Sequence, residues 1–504
     1  MPLPSRDRVA TVGIPAAIVL LHLATWRQYG IFRDELYYLA CARHLDWGYV
    51  DHPPLSIAVL AAVRAAFGES LFAMRAVVAV CAGAAAWLTA DTARALGGGG
   101  FAQRLASLAA ALSPGVIALC GFYSMNAFDV VFWIACLRVL AAILSGADPR
   151  AWLLFGVLAG LGLENKISVL FLGFGVAVGL VAARRFDLLR GRWAWIGGAV
   201  ALGIFVPHLL WQAAHGAPTL EFMRNARERK LATNTPLSFL SEVASNAGPG
   251  AFPIWIGGVG FLLFASAARA WRVLGWAWLT VLAYLLVAGG KPYYAIASTP
   301  LVFAAGGVAW ERWARGRWAR AGIVALLVAG AAIAAPLAKG FLPEGTLIAY
   351  MKAIGIKPSS GERQSLGALP QHFADMHGWE DLAVAVAGVY RSLPDAERSH
   401  VCIAGQNYGE AGAIDHFGPA LGLPRAVSTH NNYWLWGVDG CDNATWIVIG
   451  DRKESLEALF ESVERADTFR CDLCMPYEND NPIWVARGLK GRPADLWPRM
   501  KNFI

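Results

Sequence analysis

The chain has 504 residues, 57% hydrophobic and only 16% charged, with a formal net charge of +7 at pH 7. That balance excludes an ordinary water-soluble globular protein and predicts an integral membrane protein. The basic surplus falls in short clusters between apolar runs, the distribution that membrane topology produces, and it argues against nucleic-acid binding.

A membrane-crossing helix needs about 20 mostly apolar residues. Runs of this kind lie near residues 9–26, 70–93, 104–121, 126–145, 151–164, 167–183, 194–213, 250–267, 273–289, 293–310 and 321–338, which predicts a polytopic α-helical membrane protein with about eleven transmembrane helices. The first run has no small-residue cleavage site after it and reads as a retained helix, not a removed signal. The run "LSIAVLAAVRAAFG", residues 55–68, is too short to span and carries Arg64, so it reads as a helix lying at the interface. With the N-terminus cytoplasmic, Arg6, Arg8, Arg94, Arg104, Arg150, Arg184, Arg185, Arg312 and Arg315 fall at cytoplasmic ends, as positive-inside topology requires. An odd number of crossings then puts the first loop, 27–69, and everything after Lys339 outside. The division expected is a transmembrane part, 1–339, and an extracytoplasmic part, 340–504.

The second part changes character. "SHVCIAG", "ATWIVIGD" and "PIWVARG" read as short buried strands, and "DLAVAVAGVYRSL" and "KESLEALFESVERA" as helices, together predicting a small α/β domain. "GQNYGEAG" is not a dinucleotide fingerprint and reads as a plain strand-to-helix turn. Cys41, Cys81, Cys120 and Cys136 lie in the apolar part as small buried side chains. Cys402, Cys441, Cys471 and Cys474 lie in the exported part, where three pairings are open and one or two disulfides fit; Cys471-x-x-Cys474 alone is weak support for metal or redox chemistry.

Charges near membrane depth are costly and mark cavities. Asp34 and Glu35 follow the first span in "FRDELYYLACARHLDWGYVDHPPL", which also carries Asp51 and His52. Asp129 opens the fourth span in "FYSMNAFDVVFW", Lys166 lies in "GLENKISVLF", and Lys291, Tyr293 and Tyr294 lie in "GGKPYYAIASTP". Under the topology above all of them reach the outer face, which predicts a polar cavity there. Each lysine taken singly also fits a snorkelling anchor. "THNNYWLWG", with Asn431, Asn432, Tyr433, Trp434 and Trp436, suits a sugar surface or, somewhat better, a seam between the two parts. The loop from Ala214 to Gly248, with Arg224, Arg227, Arg229 and Lys230, reads as a solvated basic segment that could also meet anionic headgroups or a lipid phosphate.

The motifs "RDELYYLACARHLDWGYVDHPPL", "FYSMNAFD", "GLGLENKISVLFL" and "KPYYAIASTPLVFAAGG" resemble, in order and spacing, those of the C-type polyprenyl-phosphate-sugar-dependent glycosyltransferases. The closest group is the superfamily of protein O-mannosyltransferases and lipid A aminoarabinose transferases. The resemblance covers about residues 9–340. It implies a GT-C-like fold and transfer of one sugar, with inversion, from a polyprenyl-phosphate donor to a lipid, glycan or protein acceptor at the outer face of a bacterial inner membrane. It further implies Asp34 as general base with Glu35 beside it, and Lys291, Tyr293, Tyr294, Lys166 and His52 toward the donor phosphate, supported by Asp129 and Asp51. Where the aminoarabinose enzymes carry a lysine before Pro-Pro, this chain has His52, which either donates more weakly to the phosphate or fixes the turn. No cofactor is indicated, and a divalent metal is compatible but not called for. The alternative is a polytopic transporter or flippase, against which stand the lack of inverted halves and the placement of charges in external loops.

Overall fold

The computed structural model describes residues 4–230 and 235–504. Every apolar run read from the sequence is helical. Leu71–Ala95, Met125–Leu144, Arg192–Ala214, Ser266–Val287 and Arg317–Ala338 are each long and apolar enough to cross a membrane, and Pro236–Ala247 with Pro249–Phe264 qualifies as a pair bent by 92°. Val9–Ala24, Leu55–Phe67, Ala151–Asn165 and Val169–Ala182 are shorter apolar helices. The 104–121 run is broken in two, Gly100–Ala111 and Pro114–Leu119, because Pro114 starts a new helix instead of continuing the old one. The 293–310 run begins as a 3-10 turn, Pro292–Ser298, before the helix Thr299–Trp313.

Close helix contacts follow from small residues, since bilayer lipid gives apolar side chains no reason to prefer each other. A Cβ on Gly258 would lie 2.0 Å from the Val302 carbonyl oxygen, and one on Gly306 would lie 2.0 Å from that of Ile254. The helices Phe252–Phe264 and Thr299–Trp313 thus touch backbone to backbone.

The C-terminal part contains a five-stranded sheet of order β2-β1-β3-β5-β4, with β1 Val401–Gly405, β2 Ala426–Ser428, β3 Thr445–Ile449, β4 Phe460–Phe469 and β5 Asn481–Leu489. β1 pairs parallel with β2 and β3, and β5 pairs antiparallel with β3 and β4. Ile403, Ile447, Ile449, Ile483 and Val485 meet Leu382, Val386 and Ile414 of the helices Trp379–Ser392 and Tyr408–Leu421 in one buried cluster. The expected small α/β domain is present, and two disulfides join Cys402 to Cys441 and Cys471 to Cys474. The four cysteines of the apolar part are buried free thiols.

One element differs from expectation. "KESLEALFESVERA" is helical only over Lys453–Leu459, and from Phe460 it becomes the edge strand β4. Pairing with β5 overrides the local helical pattern, and the charges that mimicked a helix face, Glu461, Glu464 and Arg465, line an exposed strand edge. β2, three residues long, gave no sequence signal.

The Tyr408–Leu421 helix lies on the helix Arg33–Arg43 of the first loop. A Cβ on Gly412 would sit 3.0 Å from the Leu36 Cβ, and the Arg43 Nη1 donates to the Asp415 carbonyl at 2.9 Å. This seam brings the two parts of the chain together over one site.

Candidate active site

Asp34 and Glu35 both lie in the first turn of Arg33–Arg43, yet their surroundings differ. Glu35 is fully buried and accepts four hydrogen bonds: from Arg75 Nε (3.1 Å) and the Tyr123 N–H (2.7 Å) at Oε1, and from Arg75 Nη2 (2.7 Å) and the Phe32 N–H (2.8 Å) at Oε2. The Phe32 bond closes the helix N-terminus in the manner of a capping box. Asp34 has a side chain 30% exposed. The Tyr408 hydroxyl donates to its Oδ1 at 2.9 Å, and the Arg33 Nε lies 3.7 Å from the same oxygen. Among the described residues no hydrogen bond reaches its Oδ2.

Tyr408 comes from the C-terminal domain, next after Asn407, whose side chain caps the Tyr408–Leu421 helix. "GQNYGEAG" is thus the strand-to-helix turn it was read as, but it also delivers a side chain to the membrane part. The Tyr408 ring stacks on Tyr37 (4.6 Å between centroids) and against His430 (4.6 Å), and the Arg33 guanidinium lies over it at 5.4 Å. Arg33 also bonds the Tyr477 hydroxyl and lies 3.6 Å from the buried carboxylate of Asp375.

Asp51 Oδ1 is 2.8 Å from the Tyr37 hydroxyl, which is also 3.0 Å from Asn432 Oδ1. Burial pushes the Asp51 carboxyl above its ordinary range; His52 and Tyr37 oppose the rise and the Asp34 charge adds to it. His52 is turned inward. Its ring is buried among Tyr37, Tyr38 and Tyr49, with Nδ1 3.0 Å from the Pro53 carbonyl oxygen and Nε2 3.9 Å from Asp51. The ring is thus packed inside its own turn, the arrangement that the second of the two readings open for His52, fixing the turn, describes.

Lys166 and Lys291 lie beside the same tyrosine ring. Lys166 donates to Asn126 Oδ1 at 2.7 Å and lies 3.5 Å from Asp129, which also accepts from Ser168 at 2.6 Å. Lys166 Nζ and Lys291 Nζ each sit 6.0 Å from the Tyr293 ring centroid, and Lys166 is 4.9 Å from that of Tyr294. Lys291 donates to Glu362 Oε1 at 2.9 Å, and Lys230 lies 3.6 Å from the same oxygen. Burial alone would lower the Lys291 ammonium, but Glu362, with Tyr294 and Asp34, holds it above its ordinary value. Lys230, more strongly desolvated, falls below its own despite the same partner. Burial would raise the Glu362 carboxyl, yet Lys230, Lys291 and Arg33 pull it down to about 2.

Sequence reasoning missed Arg33, Tyr408 and Glu362, and had placed Lys230 only in a basic loop whose positions 231–234 lie outside the described residues. Tyr408 had one usable signal: it follows the C-terminal end of a parallel strand, where site residues collect. The stretch 429–437 forms the seam. Asn432 accepts from the Val50 N–H at 2.7 Å, and Trp436 stacks on His44 at 4.3 Å. A separate cavity of about 140 Å3 beside the sheet, lined by Trp446, Val448, Leu456 and Trp497, includes neither Asp34 nor the lysines. Among the described residues no cluster of His, Cys, Asp and Glu has the geometry to hold a metal ion.

Residues 51–211 match the family described as dolichyl-phosphate-mannose-protein mannosyltransferase, a segment that includes Asp51, His52, Asp129 and Lys166. No curated protein sequence matches the chain. Among solved structures, ArnT from Cupriavidus metallidurans in the apo state is similar with a TM-score of 0.61 at 14% identity, over 94% of this chain and 97% of that one. The same protein bound to undecaprenyl phosphate gives 0.60 at 14% identity, over 95% and 98%. The arabinofuranosyltransferase AftD from Mycobacteria gives 0.53 at 16% identity, over 98% of this chain and 41% of that one. At these identities the likeness establishes the fold: a multi-pass membrane architecture of the GT-C type, as the motifs implied.

Proposed function

We propose that this chain, with a fold shared by membrane glycosyltransferases, moves a sugar from a polyprenyl-phosphate donor to an acceptor hydroxyl on a lipid, glycan or protein. The site would lie at the outer face of a bacterial inner membrane, below an extracytoplasmic domain of residues 340–504. About eleven crossings with a cytoplasmic N-terminus give that orientation. The observation that carries the reading is the placing of one carboxylate whose Oδ2 receives no hydrogen bond among the described residues, Asp34, near Lys291 and Lys230, with Lys166 and Lys291 beside the same Tyr293 ring. Asp34 perturbs both Lys291 and Lys230.

The chemistry needs those two poles. The acceptor hydroxyl gives its proton to Asp34 Oδ2 as its oxygen attacks the anomeric carbon. The bond from that carbon to the phosphate oxygen breaks on the opposite face, which inverts the centre. The electron pair leaves with the lipid phosphate, whose growing charge is stabilised by Lys291, Lys230 and Lys166, while Tyr293 and Tyr294 line the same pocket. No acid is needed to protonate this leaving group, unlike in a glycoside hydrolase. Glu35 positions the helix that carries the base, Asp51 and Tyr37 brace the turn facing it, and Asp129 holds Lys166.

The test is mass spectrometry of lipid-linked sugars and envelope glycans in a deletion strain complemented with the native gene or with Asp34→Asn. A product should appear with the native protein and vanish with the variant. Profiles identical across all three strains would sink the reading. Transfer by purified protein in detergent, without any gradient, separates it from transport.

A further inference from the structure

Glu362 occupies the place where an anion would be bound. Its Oε1 accepts from Lys291 at 2.9 Å and faces Lys230 at 3.6 Å, its Oε2 accepts from Gln371 Nε2 at 3.1 Å, and its side chain is 9% exposed. A carboxylate with two lysines on one oxygen and an amide on the other has the ligand set of a bound phosphate. The residue sits in the irregular segment between the helices Glu344–Ala353 and Gln371–Ala374. That segment is attached to the lysine-bearing turn Ala226–Lys230: the Arg363 N–H donates to the Lys230 carbonyl at 2.9 Å and the Arg363 Nη1 to the Glu228 carbonyl at 3.2 Å. Glu362 is also the only carboxylate within 4 Å of either lysine among the described residues.

We propose that Glu362 is a displaceable stand-in for the lipid phosphate: it holds Lys230 and Lys291 between turnovers and yields them to the phosphate of an incoming donor. The inference rests on the phosphate-clamp reading of Lys291 and adds to it a competitor built into the chain. The charge count gives the competitor a use. A sugar-bearing polyprenyl phosphate is a diester with one negative charge, whereas the polyprenyl phosphate left after transfer is a monoester with roughly −1.5 to −2 at pH 7. Two lysines without a counter-charge would hold that product more tightly than the substrate. A carboxylate waiting beside them lowers the net charge of the site and speeds product departure.

The test is binding of farnesyl phosphate, inorganic phosphate and farnesol to the purified full chain in detergent. Glu362→Gln should bind farnesyl phosphate about tenfold or more tightly than the native protein, because the lysines lose their internal partner at under 4 Å. Farnesol binding should not change. Tightening for inorganic phosphate as well supports recognition of the phosphate alone, and tightening for farnesyl phosphate only supports recognition of phosphate and chain together. Unchanged or weaker binding by Glu362→Gln, with binding lost in Lys291→Gln, overturns the inference and makes Glu362 a builder of the site. If Lys291→Gln and Lys230→Gln both bind as the native protein does, the phosphate clamp itself falls. Independently of any variant, hydrogen exchange over residues 354–370 of the native protein should rise when farnesyl phosphate is added. Unchanged or greater protection there also overturns the displacement.

Discussion

Glu35→Gln removes a charge from inside the protein while keeping the side chain's shape, and its effect should fall on stability before it falls on chemistry. Each carboxylate oxygen of Glu35 receives one N–H from Arg75 and one from the backbone, at Tyr123 or Phe32. An amide offers one acceptor oxygen only. Whichever way it is turned, its NH2 faces two donors, and Arg75, with a side chain 4% exposed, keeps one hydrogen bond to the amide oxygen and those to the Trp26 and Gly30 carbonyls but loses its buried counter-charge. Breaking a buried pair in this way costs about 3–5 kcal/mol. Asp34→Asn keeps an acceptor oxygen for the Tyr408 hydroxyl at a partly exposed position and should cost about 1 kcal/mol or less, but should abolish transfer. Thermal unfolding of both variants in detergent, with transfer measured well below the transition, separates the two effects. Arg75→Met should cost a similar amount to Glu35→Gln, and the double variant less than their sum, because each leaves the other's partner stranded. A Glu35→Gln protein as stable as the native one and as inactive as Asp34→Asn would refute the reasoning and make Glu35 a substrate contact.

Tyr408→Phe keeps the ring stacked on Tyr37 and His430 and removes only the donor to Asp34. It should lower kcat by roughly ten- to a hundredfold, the worth of a hydrogen bond to a charged group, with the KM for donor little changed; a native kcat refutes the positioning role. Glu362 predicts a pH dependence. Its carboxyl is held at about 2, below its ordinary value of 4.5, so its stabilising contribution is complete above pH 4.5 and disappears as the pH falls toward 2. That contribution is about 3 kcal/mol. The stability gap between native protein and Glu362→Gln should therefore be widest near pH 6 and close by pH 2, and a gap constant with pH overturns the assignment.

The membrane part was legible because its signal is local: twenty apolar residues in a row admit one structure in a bilayer. Asp34 drew notice for a related reason, since an acid so near the end of a span must be solvated, paired or used. Glu35 was not separable from it by composition. One step along a helix turns a side chain by about 100°, and which of two adjacent acids faces Arg75 is decided by the helix Leu71–Ala95, some forty residues away. The packing of His52 was hidden for the same reason, because its neighbours Tyr37, Tyr38 and Tyr49 enclose it only once the loop has closed. Tyr408 and Glu362 are further still from local reading. Their meaning lies wholly in residues distant in the chain, and β4 shows the same rule in the backbone, where pairing with β5 overruled a helical charge pattern.

Asp34 and Tyr408 are separated by 374 positions. A ribosome making this chain therefore delivers the acid long before the phenol that donates to it. Until the C-terminal part has folded and come to rest on the Arg33–Arg43 helix, the acid lacks Tyr408 and Arg33 lacks Asp375 and Tyr477. On the reading proposed above, a copy without the C-terminal part would hold the acid but not the partner that orients it.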